Sequence, residues 1–225
     1  MNDVGNIVNA YRKSEQMKIA INSSYLSVPD GKPLAYVGKK LGTENIKRVA
    51  GPDLADLVFS SFDGNVKHFI LGDTIEYQNK LISFLKSNYK EINICGTLSP
   101  PFKKWDDKIN NDIKEKIILS DADIIWVCLG GGKQEIWMYD NYKKFEKGIF
   151  IGIGAGFRWL TGDIKRAPKF FQEIGMEWLF RFVQQPRTTF GRLISTLPYF
   201  IKDSIIEITK YKISAIMNSN KCINR

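Results

Sequence analysis

Residues 121–138 read DADIIWVCLGGGKQEIWM, and this stretch decides the fold. Ile124–Leu129 is a continuous apolar run, short enough for a strand and far too short to cross a bilayer. Gly130-Gly131-Gly132 ends the run, and Lys133–Phe145 takes up a helical pattern. A strand apolar at every position suits a sheet buried on both faces. A strand passing through glycines into a helix is the repeating unit of a doubly wound parallel sheet.

The flanking sequence repeats that alternation. Upstream, helical patterns are expected over Asn6–Ser23, Pro33–Leu41, Pro52–Phe62, Thr74–Tyr89 and Asp106–Leu119. Two of these open on a proline that fits the first helical turn. Strands are expected at Ser24–Val28, His68–Leu71, Ile92–Cys95 and, downstream, Ile149–Ile153. After Gly162 the character changes: Ala167–Gln184 and Thr188–Ile213 read as helices with no further strand pair. The reading is an α/β chain with a mostly parallel sheet over residues 1–162 and a helical appendage over 163–225.

Composition narrows the function classes. The 225 residues are 44% hydrophobic, enough for a real core and too apolar for a disordered chain. The N-terminus, MNDVGNIVNAYRKSEQ, lacks the apolar stretch of a secretory signal. Cys95, Cys128 and Cys222 are scattered, and His68 is the single histidine, so neither a disulfide framework nor a Cys/His zinc site is expected. A reducing compartment fits. The formal charge of +9 is uneven, with eleven Lys/Arg against four Asp/Glu from Lys165 onward. Such a tail meets something anionic, whether phospholipid, pyrophosphate or nucleic acid, or is simply a solvated basic face.

Candidate chemistry gathers in loops that follow strands, where ligands of such sheets bind. Gly130 lets backbone approach a ligand, Lys133 adds charge at a helix N-terminus, and Gln134 can hydrogen-bond a base or ribose. A tight strand–helix turn without a ligand would look the same. Gly152–Gly156 (GIGAG) is a second such cluster, equally suited to close strand–helix packing. The Gly130–Glu135 loop matches neither a P-loop nor a GxGxxG fingerprint. Asp30, in Pro29-Asp30-Gly31, is either a general base or an ordinary turn residue. Asp121-Ala122-Asp123 has a metal-like spacing but reads as a helix-to-strand connection. In the tail, Arg166, Arg181, Arg187 and Arg192 are interleaved with Phe170, Trp178, Phe182, Phe190 and Tyr199, a mixture suited to a membrane interface, to single-stranded nucleic acid or to helix packing.

Taken in order, several stretches resemble one family. They are Ala20–Ser23 with Val28–Gly31, Arg48–Leu54, Ala122–Gly130 with Lys133–Met138, Gly152–Phe157 with Gly162, Lys165–Pro168, Gly175–Leu179 with Arg181, and Gln185–Arg187. This ordered set, from about residue 6 to 200, resembles the WecG/TagA/CpsF glycosyltransferases, family 26. The resemblance implies a Rossmann-like core and metal-independent transfer without a cofactor. The donor would be a UDP-sugar carrying a HexNAc, often N-acetylmannosamine, and the acceptor an undecaprenyl-pyrophosphate-linked sugar. Products of that kind feed teichoic acid, common antigen or exopolysaccharide. It implies Asp30 as the base and Gln134, with Gly130, Lys133, Glu135, Gly154 and Arg158 around it, at the nucleotide. It implies an appendage that sits peripherally on the inner membrane face and offers Arg181, Arg187 and Arg192 to the pyrophosphate. Nucleic acid is not an expected partner, and self-association is compatible with the pattern.

Three departures are visible. The family pattern opens with a strand and a Thr-containing loop, whereas this sequence begins Met1-Asn2-Asp3, so that strand is expected to be missing and Asn2 or Asp3 falls near the Thr. Gly131-Gly132 precede Lys133 where the family has Ser-Pro or Thr-Pro. Arg158 stands where the family has Asp, a reversal of charge near the nucleotide loop. The alternative reading is therefore a truncated or non-catalytic member that binds a nucleotide sugar or assembles with polysaccharide-synthesis enzymes.

Overall fold

The computed structural model describes residues 1–62, 64–103 and 105–223. The chain forms two compact units. The first comprises Met1, Gln16–Ser27 and Ala50–Arg166; the second comprises Asn2–Glu15, Val28–Val49 and Ala167–Arg225.

The first unit is built on β1 (Lys67–Gly72), β2 (Asn93–Leu98), β3 (Ile124–Cys128) and β4 (Ile149–Gly152). They form one parallel sheet in the order β2-β1-β3-β4. Its helices are α2 (Glu15–Asn22), α4 (Gly51–Ser61), α5 (Ile75–Asn88), α6 (Asp107–Leu119), α7 (Lys133–Asn141) and α8 (Gly156–Leu160). The second unit contains α1 (Val4–Lys13), α3 (Lys32–Lys40), α9 (Lys169–Ile174), α10 (Glu177–Gln184) and α11 (Pro186–Ile223).

Alternate residues of each central strand serve opposite cores. Ile70, Ile124 and Trp126 pack with Ala55 and Phe59 of α4, Leu81 and Leu85 of α5 and Phe157 of α8. Phe69, Leu71, Ile125 and Val127 pack with Ile113 and Ile117 of α6 and Trp137 of α7. The uninterrupted apolar strands follow from this, because a strand covered on both faces has no wet side. Helix starts are specified locally: Thr74 caps α5 by accepting from the Tyr77 N–H at 3.2 Å, and Asp106 caps α6 by accepting from Ile109 at 2.8 Å.

The expected elements are present with three corrections. Ser24–Val28 is not a strand; Ser24–Ser27 is exposed, and the nearest pairing is an isolated parallel bridge between Asn2 and Pro29. The helix expected over Asn6–Ser23 is two helices, broken at Ser14, whose extended φ of −147° ends α1. Each half belongs to a different unit, so no single apolar stripe could serve both. Ala167–Gln184 is likewise divided, at Gly175, whose φ of +79° is the left-handed conformation that terminates α9.

His68 lies at the bottom of the first core. Trp126 Nε1 donates to its Nδ1 at 3.3 Å and the Phe59 ring meets it edge-on at 5.1 Å. Burial holds its pKa down at about 4. The unfolded chain therefore takes up the proton first as pH falls, so the stabilisation is complete above the unfolded value of 6.5 and is lost on acidification towards 4. About 1.5 kcal/mol should disappear between roughly pH 6.5 and 5 in urea melts, with most of that slope absent in His68→Phe. Equal losses in the two proteins would show that another group carries the titration.

Candidate active site

The carboxyl ends of the four strands carry the polar chemistry of the first unit. Strand order reverses between β1 and β3, and at such a switch point the loops part to leave a crevice. Gly72, at the end of β1, pairs with Cys128 at the end of β3. A Cβ on Gly72 would stand 2.6 Å from the Cys128 carbonyl oxygen, and its φ is +111°, so glycine is required there twice over.

Asp73 follows, at φ +62°. Its carboxylate accepts a two-pronged bond from Arg158, at 2.9 Å from Nε and 2.5 Å from Nη2. It also accepts from the Thr74 N–H at 2.8 Å. The Arg158 guanidinium lies over the Tyr77 ring, 4.4 Å from its centre, and the hydrogen bonds it donates to Asp73 raise its pKa. The Arg at position 158 is therefore not an isolated reversal of charge, because an acidic partner stands opposite it.

The loop after β3 is shaped by its glycines. Gly130 and Gly132 have φ of +83° and +87°, and no atom lies within 4 Å of where a Gly130 Cβ would be. Gly132 caps α7, and its N–H donates to Glu135 Oε2 at 2.6 Å. Gln134 is buried, with its amide used internally. Its Nε2 donates to Glu135 Oε1 at 2.8 Å, and its Oε1 accepts from the Gly154 N–H at 3.0 Å. That amide thus ties the loop after β3 to the loop after β4. Lys133 is turned to the Trp105 ring, 4.1 Å from its centre.

The second unit holds Asp30. The Asp30 N–H donates to the Asn2 carbonyl at 2.9 Å, the Pro29 carbonyl accepts from Val49 at 2.9 Å, and the Asp30 carbonyl accepts from Arg48 Nε at 3.1 Å. Arg48 is itself held by Glu177 at 2.7 Å, which ties the Asp30 turn to α10. Among the described residues the half-buried Asp30 carboxylate forms no ion pair. Burial raises its pKa and the charge of Asp3 adds to the rise, while Arg181 and Arg48 oppose it. Asp3 caps α1 through the Asn6 N–H at 2.9 Å and receives Arg192 at 2.5 Å. Arg181 thus belongs to the charge environment of Asp30 and Arg192 is bonded to its neighbour Asp3, whereas Arg187 is exposed on α11 and makes no comparable contact among the described residues.

The family model described as "Glycosyl transferase WecG/TagA/CpsF family" matches residues 3–213 of the 225. The chain belongs to that family. Membership makes it a glycosyltransferase-family protein of cell-surface polysaccharide synthesis. In this family member, Asp73, Tyr77 and Arg48 are residues of the candidate site that sequence reasoning did not single out for a role. Arg48 stood inside a matched motif, and Asp73 directly follows a strand-ending glycine, the two signals that would have found them.

Gln134→Leu should remove the partners of the Gly154 N–H and Glu135 Oε1 at once. A stability loss of about 2–3 kcal/mol in chemical denaturation is expected. A variant as stable as the parent would mean that the amide does not join the two loops.

Proposed function

We propose that this protein transfers a HexNAc sugar of the N-acetylmannosamine type from a UDP donor to a polyprenyl-pyrophosphate-linked sugar. Asp30 is the base. It removes the proton of the acceptor hydroxyl as that oxygen bonds to the anomeric carbon, and the bond from the anomeric carbon to the diphosphate oxygen breaks to release UDP. The observation that carries this reading is the half-buried Asp30 carboxylate, on a turn pinned by two hydrogen bonds to the Asp30 backbone and one to the Pro29 carbonyl, raised in pKa by burial and set among Arg181 and Arg48. A base poised nearer neutrality accepts a proton more readily. Cationic side chains of this kind suit the charge that develops on a leaving diphosphate, so the proposed transfer uses no metal cofactor. The open glycine loop at Gly130–Gly132 and the N-terminus of α7 suit the nucleotide phosphates.

In this proposal the reaction runs peripherally on the inner face of the plasma membrane. No helix among the described residues is long and apolar enough to cross a bilayer. On α11, Phe190, Ile194, Leu197, Ile201 and Ile205 recur at helical spacing and are exposed. A stripe of that kind with nearby basic residues suits insertion into the headgroup region.

Asp30→Asn should lower sugar transfer onto a synthetic lipid-pyrophosphate-sugar acceptor by about 10²–10⁴-fold. The parent rate should survive chelator and should fall with acidification along a limb lying above the ordinary Asp value of 3.8, because burial raises this carboxyl. Undiminished turnover by the variant would remove Asp30 as the base, and UDP binding without transfer by the parent would favour the non-catalytic reading. Separately, Phe190→Glu with Ile194→Glu should abolish co-sedimentation with vesicles rich in anionic lipid. Retained sedimentation would count against the α11 stripe as the membrane contact.

A further inference from the structure

A cleft of about 500 Å³ opens on the second unit beside α3, within the size range of small-ligand sites. Its walls include Lys32, Tyr36, Lys39, Ile46, Lys47 and Arg48. Among the described residues no acidic side chain lines it. From residue 32 to 48 the chain carries five cations against a single acid, Glu44.

The four cations that line the cleft are not equivalent. Arg48 is neutralised by Glu177, and the Lys32 ammonium rests on the Glu173 carbonyl. Among the described residues, Lys39 and Lys47 have no acidic partner. Two lysines in the last turn of a helix commonly do no more than complement its dipole, which accounts for Lys39 and Lys40. It does not account for Lys47, which comes from a separate segment, nor for the wall that faces them. That wall is kept close by Gly175: a Cβ there would stand 3.4 Å from the Lys32 Cβ and 3.5 Å from its Cδ. At φ +79°, Gly175 also makes the turn that brings the α9–α10 segment against the Lys32 stem. The remaining surface is apolar or aromatic, with the Tyr36 ring exposed and Ile46 half-buried.

We propose that this cleft is a phosphate-recognition site, taking the phosphate or diphosphate group of a ligand on Lys39 and Lys47. It is additional to the arginines of α10 and α11. A concave, low-dielectric wall with one sign of charge concentrates counter-ions of the other sign. Ammonium groups that make no ion pair give up no partner when a phosphate arrives. Arg48 lines the cleft and holds the Asp30 carbonyl at 3.1 Å, so a phosphate bound there would sit next to the turn that carries the carboxylate. The inference stands on the cleft alone and is read by binding, without turnover.

The test is calorimetric titration of the full chain with inorganic pyrophosphate at low and high salt. The parent is compared with Lys39→Gln/Lys47→Gln and with a control, Lys86→Gln/Lys90→Gln, that removes equal charge from exposed positions of the first unit. A parallel arm measures sedimentation with phosphatidylglycerol vesicles against phosphatidylcholine vesicles. Affinity for pyrophosphate should fall about tenfold in the cleft variant, the equivalent of one charge-assisted hydrogen bond, and stay unchanged in the control. Its salt dependence should also become shallower. A loss in the pyrophosphate arm alone assigns the site to a soluble or glycan-linked diphosphate. A loss extending to phosphatidylglycerol vesicles, or confined to them, assigns it to a lipid headgroup. Cleft and control variants that behave alike in both arms overturn the proposal, whatever becomes of the transfer reaction.

Discussion

Burial of a parallel sheet on both faces is the constraint from which the first unit follows. Each of β1 and β3 must offer an apolar side chain to both cores, so neither can carry a polar group along its length without providing it a partner. His68 illustrates the rule: it sits in β1 only because Trp126 supplies a donor, and it is held neutral. Polar groups are therefore displaced to the strand ends, the ion pairs of Lys67, Asp121 and Lys147 to the amino ends and the candidate site to the carboxyl ends. The same constraint explains why glycine crowds these ends. At Gly72 the neighbouring strand's carbonyl leaves no room for a Cβ.

Those ends are joined by side chains rather than left as separate loops. Gln134 reaches from α7 to the Gly154 N–H, and Arg158 reaches from α8 to Asp73 beside β1. Each link spans two loops and uses up hydrogen-bonding capacity that a ligand would otherwise meet. Beside these links lies the Gly130–Gly132 turn, in which Gly130 and Gly132 take a conformation that only glycine adopts freely. In the second unit Arg48 plays the comparable part. It fixes the Asp30 turn through a carbonyl, which leaves the carboxylate out of the bond.

The sheet was legible in the sequence because its strands are short, uniformly apolar and bounded by turn residues. All four strands and the helices between them lie within a few residues of where periodicity puts them. The failures fall where a local pattern has to serve a distant partner. Ser24–Val28 has strand-like residues but no ladder to join, and the segment expected as one N-terminal helix divides at Ser14 because its halves belong to different units. Site reading had the same limit. Asp30 could be picked out as a turn carboxylate, but the charges that act on it, those of Asp3, Arg48 and Arg181, come from residues far apart in the chain. Arg158 read as a departure because its partner, Asp73, lies 85 positions away and belongs to no matched motif.

That last pair bears on how chains of this kind are found and compared. With Asp73 mostly covered and Arg158 about one-third exposed, changing either alone strands the other's charge at the switch point. The two positions are therefore tied to one another in this chain, and a change of charge at one is met by the opposite charge at the other. Position 158 compared by itself shows a reversal, whereas positions 73 and 158 compared together show a neutral pair.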